Sequence, residues 1–167
     1  MTNLQILVGQ HQAKAAQMAA QPVDWDKRKS KWLSVLQALI DQIRASLISA
    51  GVSAEQIVVT RHGLTEETLG SYQAPGLKAQ IGTVTVEFLP IGSVIIGGYG
   101  RVDVTGPRGE VKLIAEDAQS FHDPEDKTPS YEREWVWSAY PDKSRRSGFC
   151  LDDEGLAKVM ELVLGSA

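Results

Sequence analysis

The chain has 167 residues, 43% of them hydrophobic and 23% charged, with a formal net charge of −4. A length of about 100–200 residues is that of one domain, and this apolar fraction with so small a net charge excludes a disordered chain. The acidic balance argues against broad nucleic-acid binding, which needs clustered Lys and Arg on phosphates, and the one cysteine, Cys150, excludes an intrachain disulfide and points to a reducing compartment.

Residues 1–21 are rich in Ala and Gln. Their apolar run of Leu4, Ile6, Leu7 and Val8 stops at Gly9 and has no basic start, which is not the pattern of a secretion signal. No stretch of the sequence approaches the ~20 apolar residues of a membrane span, so the sequence predicts a cytoplasmic protein without a membrane partner. We read 1–21 as an arm or short helix with Leu4, Leu7 and Val8 on one side, and 22–167 as a single α+β domain.

Asp24 opens the clearest helix, because an aspartate carboxylate accepts the orphan N–H groups of a first turn. Trp32, Leu36, Leu39, Ile40, Ile43 and Leu47 then recur at helical spacing. Gly51 supplies the left-handed residue that ends such a helix. Residues 56–60 read as a short strand. Residues 61–80, with Gly63, Gly70, Pro75 and Gly76, read as a long loop with one helical turn near 65–69.

The strongest strand pattern follows. Val84, Val86 and Phe88 alternate with Thr83, Thr85 and Glu87. Val102 and Val104 alternate with Arg101, Asp103 and Thr105. Val111, Leu113 and Ala115 alternate with Glu110, Lys112 and Ile114. Alternation of period two marks antiparallel strands with one buried and one wet face. With a further strand at 94–96, and a Gly106-Pro107-Arg108-Gly109 turn, this predicts a four-stranded meander over 82–116. Residues 117–130 read as a polar loop, 132–140 and 149–151 as strands, and 152–164 as a helix with Leu156, Val159, Met160 and Val163 inward. The expected fold is α+β: an antiparallel sheet of about five to seven strands, packed on one face by a long N-terminal helix and a C-terminal helix.

The glycine-rich run 92–109 does not fit a nucleotide site. Gly100 is followed by Arg101-Val102 rather than the Lys-Ser/Thr that a phosphate loop needs, and Asp103 stands where a dinucleotide fingerprint needs glycine. No cofactor is expected. His122, Asp123, Glu125 and Asp126 crowd one loop but lack the alternating ligand spacing of a calcium loop, so no metal is expected either. For catalysis the candidates are His62 with Glu66 or Glu67 as an acid–base pair, and Cys150 as a nucleophile if a histidine came near it; the plain alternative for Cys150 is a small hydrophobe in a strand. Two basic clusters stand out: Lys27, Arg28, Lys29 and Lys31 at the start of the long helix, and Lys143, Arg145 and Arg146 before the last strand. Trp135 and Trp137 share one strand face, as core or as an aromatic platform for a partner. The open sheet face carries Thr83, Thr85, Glu87, Arg101, Asp103, Glu110, Lys112 and Glu134.

Together these features predict a non-enzymatic protein-binding module, such as a small cytosolic inhibitor, immunity or adaptor protein. Its binding residues would be Glu87, Arg101, Asp103, Lys112, Trp135, Trp137, Arg145 and Arg146, and its partner another protein, with self-association left open. The alternatives are a small-ligand pocket protein or hydrolase-type enzyme using the 61–80 loop, and a nucleic-acid binder using the two basic clusters.

Overall fold

A computed structural model describes residues 2–20, 23–95, 97–119, 121 and 123–165, without the side chains of 14–20. The 1–21 segment begins as a helix, α1 (Asn3–Ala20). After it, the Asp24 carboxylate accepts the N–H of Lys27 at 3.1 Å and starts α2 (Trp25–Ser49). The apolar stripe from Trp32 to Leu47 is buried along its whole length, and each such side chain removed from water contributes about 1.5–3 kcal/mol. Gly51, at φ 109°, turns the chain out of the helix.

Seven strands follow: β1 (Ile57–Glu66), β2 (Gly70–Ile81), β3 (Val84–Gly92), β4 (Gly100–Gly106), β5 (Gly109–Asp117), β6 (Trp135–Tyr140) and β7 (Phe149–Cys150). They form one antiparallel sheet in sequence order, a meander with β1 and β7 at its edges. The chain closes with α3 (Asp153–Leu164), capped by the Asp152 carboxylate on the N–H of Gly155 at 2.7 Å. The acidic first turn complements the helix dipole there.

The alternation over 83–115 has the consequence expected of it. Val86, Phe88, Val102, Val104, Val111, Leu113 and Ala115 are buried with the stripes of α2 and α3 in one core. In register, Leu77, Phe88, Val104 and Val111 stand in one row across four strands. Both body helices thus cover the same face of the sheet.

Two expectations about elements are corrected. Residues 61–80 are not a loop. They form most of the β1–β2 hairpin, paired from Ile57↔Ala79 to Glu66↔Gly70 and closed by a turn at 67–69, with Gly70 at φ 73°. The strand rhythm is hidden because Ala74, Pro75, Gly76 and Leu77 are buried in succession. β2 pairs with β3 only over Leu77–Ile81. Beyond that point the hairpin leaves β3 and turns across the end of the core, so the inward face changes parity midway. The second correction is at 94–96. No strand of the sheet lies there, and Ile95 makes only an isolated bridge to Gly98; Ile96 lies outside the described residues.

Candidate functional site

Between β3 and β4 the described residues 93–95 and 97–99 lie between two groups of side chains. On the inner side, Glu66 near the tip of β1 accepts the backbone N–H groups of Ser93 and Val94, each at 2.9 Å. Arg28 of α2 donates to the carbonyls of Ser93 at 3.0 Å and Tyr99 at 2.8 Å. Its guanidinium sits 4.6 Å from the ring centroid of Trp135 and 5.5 Å from that of Tyr99. Those two rings stack on each other at 4.8 Å. Tyr72 donates to Glu66 and accepts from the indole N–H of Trp32 at 3.1 Å.

This inner group is a buried ionic and aromatic node. Arg28 is 5% exposed. Burial holds its guanidinium below its ordinary value, while the Glu66 charge pulls the other way. A cation this deep is tolerable because it has carbonyl acceptors, ring faces and a carboxylate nearby. Burial and the bond to Glu66 push the Tyr72 phenol well above its ordinary value. Tyr99 is raised likewise by burial and by its bond to Asp117 at 3.0 Å.

On the outer side, the same segment walls a groove of about 470 Å³ on the sheet face that carries no helix. Val94 and Ile95 form the wall, Ile114 and Tyr140 supply apolar surface, and Arg101, Lys112, Lys143 and Arg145 bring four cationic groups to it. Asp142 brings one acidic group. Arg145 ties the wall in place from this side, donating to the carbonyl of Gly97 at 3.1 Å. Its guanidinium lies 4.9 Å over the Tyr140 ring and 3.7 Å from Glu116. Tyr140 also donates to Glu116, and burial followed by that bond raises its phenol. Beside the groove Arg101 grips Asp103 through two bonds of 2.7 and 2.8 Å.

The structure brings together Arg101, Lys112 and Arg145 of the expected binding residues, with Asp103 next to them. Glu87 lies further along the same face, on β3 opposite Thr105. Arg146 is exposed beside Arg145. Three details of that face differ from expectation. Asp103 is only 9% exposed, held down by Arg101. Ile114 is buried, because the 93–99 segment crosses over it and Gly98 packs against it. Glu134 is exposed but precedes β6 rather than lying in the sheet.

The tryptophans are not a surface platform. Trp135 is buried against Arg28 and Tyr99, and its indole N–H donates to the carbonyl of Ser130 at 2.8 Å. Trp137 is half-buried on the helix-covered side, with its ring 6.1 Å from Trp32. Both have the register parity of Ala139, which faces the core.

The residues named for catalysis do not converge. His62 bonds to the hydroxyl of Thr60 at 2.7 Å. Glu66 is four residues along the same strand, roughly 13 Å away at strand rise, and its carboxylate is engaged as described. Glu67 is exposed in the hairpin turn. Cys150 is exposed rather than buried, on the edge strand opposite β1. A two-residue strand with no further neighbour does not cover it. His122 lies outside the described residues. Among the described residues no group of three or more His, Cys, Asp or Glu is placed to hold a metal ion. Asp123 and Asp126 instead stabilise their own loop, on the N–H groups of Glu125 and Thr128.

Arg28 is the residue that sequence reasoning misplaced. It reads as one of four basic neighbours, yet it stands four positions before Trp32 and so continues the buried stripe by one turn. Tyr72 and Tyr99 carried no signal, because the sequence over 61–80 hides the β1–β2 hairpin that brings Tyr72 to Glu66, and Trp32, Asp117 and Trp135 reach the two rings only through the fold.

Fold and site define an α+β protein with an open-faced antiparallel meander and a cationic groove on the uncovered face. Comparison with protein families, characterised proteins and solved structures returned no match. Among the described residues no helix is long and apolar enough to cross a membrane.

Proposed function

We propose that this chain is a protein-binding module of the cytoplasm, an inhibitor, immunity or adaptor protein, that docks a partner on the uncovered face of its sheet. The observation that carries this reading is the groove at Arg101, Lys112, Tyr140, Lys143 and Arg145, walled by a segment fixed from both sides. Its make-up is that of an interface centre: an aromatic ring, aliphatic surface and arginine. A rigid wall lowers the ordering cost of binding. Arg101 is held by Asp103 and Arg145 lies 3.7 Å from Glu116, so Lys112 and Lys143 are the groove cations without a carboxylate ion pair, and they favour an acidic segment on the partner. The lone cysteine supports a reducing compartment.

The test is affinity capture from the source cells by the intact chain, beside a Lys112→Gln/Lys143→Glu variant. Glutamine at 112 puts no second negative charge opposite Asp103, and Lys143 is exposed in a loop, so the unfolding midpoint should change little. The reading expects a partner held by the intact chain, weakened by salt, and lost from the variant, with hydrogen-exchange protection appearing at 94–101 and 140–145. A partner retained equally by the variant would sink it.

A further inference from the structure

We draw no further inference here: the strongest candidate, the exposed apolar face of α1 at Leu4, Ile6, Leu7 and Val8 together with the groove between α2 and α3, carries nothing because nothing in the structure shows what covers either surface.

Discussion

Arg28 and Ser93 are joined across 65 residues of sequence: the guanidinium of Arg28 donates to the Ser93 carbonyl at 3.0 Å. The N–H of the same Ser93 goes to Glu66 at 2.9 Å. One backbone unit is therefore held by a cation from α2 on its acceptor side and an anion from β1 on its donor side. Helix, hairpin and the 93–99 segment meet there, and the outer surface of that segment is the groove wall.

Arg28→Met keeps the length and apolar stem of the side chain and removes the charge. It leaves the carbonyls of Ser93 and Tyr99 without their donor and Glu66 without its compensating charge. Breaking a buried charge arrangement from one side costs about 3–5 kcal/mol. Urea unfolding should show a loss of this size, and hydrogen exchange at 93–99 should speed up before the rest of the sheet opens. Glu66→Gln retains an acceptor for the two N–H groups but removes the anion that favours the buried Arg28 cation, and it should also destabilise, by about 3 kcal/mol.

Gly76 is where the hairpin parts from β3, one residue beyond the last β2–β3 pair, Leu77↔Phe88. A Cβ there would lie 2.6 Å from the Phe88 carbonyl oxygen and 2.8 Å from both His62 Nε2 and Thr60 Oγ1. The first of these is backbone and has little room to move. Gly76→Ala should destabilise by about 1–3 kcal/mol through overpacking. Gly63→Ala, on the partner strand, meets only Gln73 Nε2 at an ordinary 3.6 Å and should be close to neutral. Equal effects in thermal melts would contradict this account of the bend.

Three of the four tyrosines, Tyr72, Tyr99 and Tyr140, are raised above the ordinary phenol value, each first by burial and then by a carboxylate bond. The folded chain therefore keeps these protons where the unfolded chain loses them, above about pH 10. Their contribution to stability is complete below that pH and is lost as pH rises through the folded values. The protein should unfold at lower urea as pH climbs past 10, with no such effect near neutrality. Tyr72→Phe should flatten that fall, as read by urea titrations at stepped pH. An absorbance titration at 295 nm should show phenols ionising late and together with unfolding.

How much of this was legible in the sequence depends on where the partners of each residue lie. Val84, Val86 and Phe88 announce a half-buried strand by themselves, because successive side chains on a pleated strand must point to opposite sides. Asp24, Asp152 and the stripe from Trp32 to Leu47 announce their helices for similarly local reasons. The chain order of the strands then forces the meander, since short turns join antiparallel neighbours.

The tertiary structure decided what depends on distant contacts. Arg61, Gly63, Pro75 and Gly76 carry no strand rhythm, and they become strand because β1 and β2 pair with each other and bend across the core. Arg28 is buried rather than solvated because Trp135, Tyr99 and Ser93, far along the chain, close over it. Asp103 is held down by Arg101, and Ile114 is covered by the 93–99 segment. Periodicity fixes which side of an element a residue takes; only packing settles whether that side is then covered, and by what.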